Sequence, residues 1–133
     1  MGLVRLRKDK GGFTLIEIML VCAILALLSA IAIPEFLKAR RRSQATVTLQ
    51  ELKKVQEGID TWAVENAKAD NDVVTWADVK EYVKGNTPLY NRNGNDYIGH
   101  PFLFTSVGSG VKMDEITRLY FSGINIDFSE FQQ

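Results

Sequence analysis

The order of apolar and polar positions divides the chain into three stretches. From Phe13 to Ile33 every residue except Glu17 is apolar or small, and no polar stripe interrupts the run. At a rise of about 1.5 Å per residue this run makes a helix about 32 Å long, close to the ~30 Å hydrocarbon core of a bilayer. The pattern predicts a membrane-spanning helix, since an amphipathic surface helix would alternate apolar and polar faces. From Ala45 onward the period becomes helical. Leu49, Leu52, Val55, Ile59 and Trp62 recur three or four apart and share one face, while Gln50, Glu51, Lys53, Lys54 and Glu57 fall mostly on the other. This is a core-facing stripe, on a helix that continues from the span. Gly58 weakens that helix by about 1 kcal/mol without breaking it. The helix is expected to fade near Ala69, where Asp70-Asn71-Asp72 supplies a turn.

The third stretch carries short elements. Thr75-Trp76-Ala77-Asp78 has the outline of a capping box, with Asp where Glu or Gln is usual. A short helix is predicted over about Trp76 to Lys84, with Val79, Tyr82 and Val83 inward and Gly85 ending it. Pro88-Leu89-Tyr90 reads as a loop and Asn91 to Asp96 as a turn-rich cluster. Tyr97-Ile98 and Phe102-Leu103-Phe104-Thr105 read as short strands around Gly99-His100-Pro101, with Leu119-Tyr120-Phe121 as a further strand candidate. Met113 to Arg118 suits helix or extended chain equally. The tail alternates at Ile124, Ile126 and Phe128, the pattern of an edge strand or of a segment draped over a small core.

Two residues break the apolar run's simplicity. Glu17 is a carboxylate inside it, which costs roughly 2.5–3.5 kcal/mol on insertion scales and usually has a partner or a task. One reading places it near the interface, snorkelling to headgroups. The other pairs it with a free α-amino group, which a chain starting at Phe13 would supply, on the same subunit or a neighbour; in low dielectric such a pair is strong. Pro34 closes the run. It cannot donate to the carbonyl of Ala30, so it marks either a helix terminus or a kink; the helix-forming residues Glu35 to Ala39 favour a kink. Lys38-Ala39-Arg40-Arg41-Arg42 then reads as a solvated or headgroup-facing ring, with nucleic-acid contact as a lesser alternative.

Composition narrows the function classes. The chain has 133 residues and zero formal net charge. The first twelve residues carry Arg5, Arg7, Lys8 and Lys10 against Asp9, a net of +3, so the remainder carries −3, unlike a general nucleic-acid-binding surface. About 100 residues outside the span suffice for one modest core. Cys22 is the sole cysteine, so no internal disulfide forms. The basic start followed by an apolar run also suits a secretory signal peptide, with Ala30-Ile31-Ala32 as an A-x-A site. That run is longer than the usual ~7–15 residues and contains Glu17, which argues against it. Cations flank the run on both sides, so charge counting leaves orientation open.

Gly12-Phe13-Thr14-Leu15-Ile16-Glu17, after a short basic leader and before about twenty apolar residues, resembles the N-terminus of type IV prepilins and type II secretion pseudopilins. The likeness is close over residues 8 to about 40 and loose beyond. It implies cleavage between Gly12 and Phe13 by a membrane prepilin peptidase, N-methylation of the new Phe13 amine, and neutralisation of a neighbouring subunit's Phe13 amine by Glu17. It also implies local unwinding at Pro34 on filament entry, a cytoplasmic N-terminus and a periplasmic head. The missing disulfide departs from many pilins and shifts weight toward pseudopilins. Major pseudopilins often hold calcium in their C-terminal loops.

The expected architecture is α+β and pilin-like. A leader occupies residues 1–12, a transmembrane and assembly helix 13–34, its amphipathic continuation 35–69, and a small head 70–133 with a short helix and a small antiparallel sheet. The expected function is that of a processed subunit of a type IV pilus-like filament in the inner membrane, with itself, the peptidase, an assembly platform and motor, and lipid as partners. A type II secretion pseudopilin and a non-polymerising membrane-anchored periplasmic binding domain are the alternatives. No catalytic, cofactor or metal residues are assigned. His100, between Gly99 and Pro101, reads as a turn residue, and Trp62 and Trp76 as core or interface anchors. Asn93, Asn95, Asp96, Asp114, Glu115, Asn125 and Asp127 could offer oxygens to calcium, but without the spacing of a calcium loop.

Overall fold

The computed structural model describes residues 11–131, so the expected leader lies outside it apart from Gly11 and Gly12. The chain divides into two units, residues up to Leu37 and residues from Lys38 onward. The first unit is the front of helix α1 (Leu15–Glu65, 51 residues). Its side chains are exposed throughout, and it is long and apolar enough to cross a membrane. Pro34 lies inside α1, which continues past it to Glu65; the residue is therefore not a helix terminus.

The second unit is built on the rear of α1. Leu52, Val55, Ile59 and Trp62 are buried as the stripe predicts, joined by Ala45, Thr48 and Ala63. Onto this face fold α2 (Trp76–Val79), a 3₁₀ turn over Lys80–Tyr82, α3 (Pro88–Asn91), α4 (Glu115–Tyr120) and a 3₁₀ turn over Ser129–Phe131. These elements and the residues that flank them contribute Val79, Val83, Leu89, Phe121, Phe128 and Phe131 to one core with Phe102, Val107, Val111 and Met113. Gly58 has a packing reason: a Cβ there would stand 2.8 Å from Val79 Cγ1, so the missing side chain lets α2 approach α1. Gly94, with φ +80°, lies against the Trp76 ring in the same manner.

The expected sheet is corrected. Among the described residues no strand forms; the extended segments make only isolated antiparallel bridges, Val73 with Ser106, Asn95 with Pro101 and Leu103 with Lys112. Gly99, Gly108 and Gly110 take positive φ and turn the chain after one or two residues, and Pro101 has no amide to extend a ladder. Leu119-Tyr120-Phe121 is not a strand: Leu119 and Tyr120 belong to α4 and Phe121 is its C-cap, because Asp114 caps the helix by accepting the Ile116 amide at 3.1 Å. Pro88-Leu89-Tyr90 is helical too, with Thr87 as N-cap and Pro88 in the first turn. The predicted Trp76–Lys84 helix is shorter and tightens to 3₁₀ at Lys80. The tail drapes over the core, burying Phe128, stacked on Phe121 with centroids 6.1 Å apart.

Glu51, expected among the solvent-facing residues of α1, is buried. Both of its carboxylate oxygens accept from Arg92 Nη2, at 2.6 and 2.7 Å, and Arg92 Nε donates to the Asn95 carbonyl. This pair ties the turn after α3 to α1. Arg92→Ala would strand a buried carboxylate, and is expected to lower unfolding stability by about 2–3 kcal/mol, less than for a fully buried pair because Arg92 is 27% exposed. Urea unfolding followed by the fluorescence of Trp62 and Trp76 in detergent checks this. Adding Glu51→Leu should recover part of the loss.

Candidate processing and assembly site

The candidate site is the stretch before and into α1. Gly11, Gly12, Phe13 and Thr14 precede the helix in non-helical conformation, all exposed, with Phe13 86% exposed. A Cβ built on Gly12 meets nothing within 4 Å, so nothing in the described fold requires glycine there. Thr14 stands at the N-cap position and Glu17 three residues on. The Thr14 amide and hydroxyl both donate to Glu17 Oε2, at 2.7 and 2.8 Å, and the Glu17 amide donates back to Thr14 Oγ1 at 3.3 Å. This is a reciprocal capping box. Its signal, Thr-x-x-Glu, stands in the sequence at Thr14-Leu15-Ile16-Glu17, beside the apolar run that drew attention to Glu17 as a lone charge.

The box changes the chemistry open to Glu17. A free carboxylate in the span has no compensation; this one satisfies orphan amide donors at the helix start and lies in the positive field of the N-terminus. Only Oε2 takes part, so the second oxygen retains its lone pairs for a cation. The structure thus joins Glu17 to Thr14, and among the described residues no hydrogen bond or ion pair joins it to Phe13. Pro34 is in the same helix, well separated along it.

Four of the loop residues weighed for calcium, Asn93, Asp96, Asp114 and Asp127, use side-chain oxygens within the fold. Asp96 is buried; its Oδ1 accepts the amides of Ile98, Gly99 and His100 at 2.8, 2.8 and 2.9 Å, and its Oδ2 the Thr117 hydroxyl. Asp114 caps α4 and faces His100 Nδ1 at 3.6 Å. Asn93 accepts from Trp76 Nε1 at 3.1 Å, and Asp127 from the Ser129 amide, which holds its carboxyl below the usual range. Among the described residues no three His, Cys, Asp or Glu gather as a metal site. His100 takes the turn role, its carbonyl accepting the Asp96 amide at 2.7 Å. Sequence reasoning missed Thr14, the Glu51–Arg92 pair and the Asp96–Thr117 link; only the first had a local signal.

Comparison with known proteins agrees with this geometry. Residues 7–33 match the prokaryotic N-terminal methylation motif. The type IV major fimbrial protein FimA of Dichelobacter nodosus is 40% identical over 65 residues, 49% of this chain and 41% of that protein. The type IV wide pilus major component PilA4 of Thermus thermophilus is 40% identical over 59 residues, 44% of this chain and 45% of that protein. The type II secretion system core protein G of Pseudomonas aeruginosa is 25% identical over 111 residues, covering 77% of this chain and 78% of that protein. The chain thus spans less than half the length of the fimbrial relatives it matches. No solved structure matches it. The methylation motif thus runs across the capped start of α1, and the chain is similar there to proteins named as type IV pilins and, over most of its length, to one named as a type II secretion system core protein.

Proposed function

We propose that this chain is a structural subunit that is processed and then polymerised into a type IV pilus-like helical filament. Residues 1–12 are a leader removed by a prepilin peptidase between Gly12 and Phe13, and the new Phe13 amine is methylated. Residues 13–34 span the inner membrane and later pack in the filament, with the N-terminus cytoplasmic and the head periplasmic. Residues 35–69 continue the helix and 70–133 complete the head. Glu17 neutralises the Phe13 amine of an adjacent subunit, and Pro34 loosens the helix when subunits leave the bilayer. Lipid and filament interior are both apolar, so the transfer is nearly balanced in free energy; an assembly platform and motor drive it. The subunit is not an enzyme and works without a cofactor, and calcium has no assigned ligands.

The observation that carries this reading is the helix start. A bare apolar helix is capped by a carboxylate with an oxygen to spare, and its N-cap Thr14 stands two residues after Gly12, a glycine that the described fold does not need. The test follows from Gly12. Replacing Gly12 with a bulky residue should leave folding unchanged, since a side chain there meets open space. It should also leave the precursor at full mass, whereas the parent's mass spectrum should show a methylated start at Phe13. Normal maturation of the variant would remove the peptidase assignment.

One observation favours the type II secretion pseudopilus as the machine: the likeness to core protein G extends over 77% of this chain, whereas the fimbrial likenesses cover half or less. Recovery of short periplasmic filaments only, in cells whose secretion of exoproteins depends on this chain, supports that version. Long surface fibres support the pilus.

A further inference from the structure

In the head unit, a cleft of about 250 Å³ lies between the first turns of its part of α1 and the turn that follows α4. Lys38, Arg41 and Arg42 form one wall, and Ser122, Gly123 and Asn125 the other. The three cations are three and four residues apart and share a face of the helix, whereas Arg40 does not line the cleft. No acid lines it, while two other clefts along α1, beside Lys54 and beside Lys53, both include Glu57. Among the described residues Arg41 and Arg42 form no ion pair.

The cationic wall is held in place. The Arg41 guanidinium lies 5.7 Å over the Tyr120 ring, and the Tyr120 hydroxyl donates back to Gln44 Oε1 on α1 at 3.3 Å. Stacking occupies the flat face of the guanidinium and leaves its N–H edge for an oxyanion. The opposite wall brings acceptors. Ser122 donates its hydroxyl proton to the Leu119 carbonyl at 2.7 Å and keeps its lone pairs, and the exposed Asn125 has an amide oxygen. Gly123, at φ +81°, turns the chain between them. Cations on one side and hydroxyl acceptors on the other suit a phosphodiester that carries hydroxyl groups.

Chain length says which phosphodiester. Lys38 and Arg42 come at most about 8 and 14 Å of helix rise after Ile33, where the apolar run ends. The polar zone on each face of a bilayer is about 5–8 Å deep, and long Lys and Arg side chains reach back over the difference. We propose that the cleft binds the headgroup of one anionic, hydroxyl-bearing phospholipid of the phosphatidylglycerol type while the chain is in the bilayer. Arg41 and Arg42 donate to the phosphate oxygens, Lys38 adds charge, and Ser122 Oγ and Asn125 Oδ1 accept from the headgroup hydroxyls. This rests on the reading of residues 13–34 as a membrane span. Diffuse attraction of a basic segment to an anionic surface depends on the number of cations alone. A cleft depends on which cations line it, and Arg40 separates the two cases.

The test uses the full-length protein in detergent micelles, with phosphatidylglycerol or phosphatidylethanolamine added and retained lipid counted by native mass spectrometry. One phosphatidylglycerol per chain is expected, held about tenfold more tightly than phosphatidylethanolamine. Arg41→Gln and Arg42→Gln should each weaken it about fivefold, and Asn125→Asp, which sets a carboxylate in the far wall, about as much. Arg40→Gln should stay within about twofold of the parent. All four side chains are exposed, so urea midpoints should match the parent's. A loss for Arg40→Gln equal to that for Arg41→Gln would mean diffuse charge and overturn the cleft. Displacement of the lipid by equimolar glycerol 3-phosphate would make the ligand a soluble phosphate and overturn it too. So would arginine variants that lose binding to a short DNA duplex while keeping the lipid. The span is checked separately by an alkaline wash of membranes. A chain that the wash releases removes the span reading, whereas a chain that stays in the membrane without preferring phosphatidylglycerol overturns the cleft alone.

Discussion

Glu17→Gln should enter the membrane and mature as the parent does, yet give about a hundredfold fewer filaments. Glutamine can replace glutamate in a capping box, so the Thr14 amide and hydroxyl keep a partner and the helix start is kept. What it lacks is charge. Burying a neighbour's amine without a counter-ion costs roughly 2.5–3.5 kcal/mol in an apolar setting, and a factor of a hundred corresponds to about 2.7 kcal/mol. Glu17→Ala should do the same and also lose about 1 kcal/mol of helix cap. Counting filaments in sheared fractions separates the roles. If the glutamine variant assembles normally and only the alanine variant fails, Glu17 is a cap and the charge pair is wrong.

Asp96→Ala should remove about 4 kcal/mol from the head's stability, a large share of the 5–15 kcal/mol typical of a domain. One buried carboxylate holds three successive amides of the 98–100 turn and the fully buried Thr117 of α4, so its loss unties a loop and a helix at once. Hydrogen bonds to a charged acceptor are worth more than neutral ones; the Gly99 amide keeps the Asp96 carbonyl at 3.2 Å, while the amides of Ile98 and His100 lose the carboxylate that holds them. Asp96→Asn keeps an oxygen for the amides and should lose about half as much; Thr117→Val should lose about 1–2 kcal/mol. A urea midpoint for Asp96→Ala within 1 kcal/mol of the parent would show the turn to be held by other contacts.

Legibility in the sequence followed the range of the interactions. The apolar run of α1 is a matter of local length and composition, and its buried stripe of spacings of three and four residues, so both are legible in the sequence. The Thr14–Glu17 box is equally local, but its Thr-x-x-Glu signal lies at the edge of an apolar run in which the carboxylate stands out first as a lone charge. The Glu51–Arg92 pair is 41 residues apart in the chain, and Asp96–Thr117 is 21. No local pattern announces either, and for Glu51 the helical period pointed the wrong way. Tyr97-Ile98 and Phe102-Leu103-Phe104 carry β-forming residues yet make no strand. The positive-φ glycines on either side decide the backbone there, and propensity yields to them.

The reciprocal bonding between Thr14 and Glu17 has a consequence for maturation. Because the helix is closed off from within, by two side chains that both lie after Phe13, it does not depend on anything upstream for its first turn. The peptide bond joining Gly12 to Phe13 lies in a short unwound, uncovered lead-in, where a protease can take hold of the chain without melting secondary structure. Under the proposed cleavage, excision of the leader would be a scar-free edit. The rod that remained would be the rod that was there before, and the cut would add a positive charge one turn from the acid that already holds the helix start together.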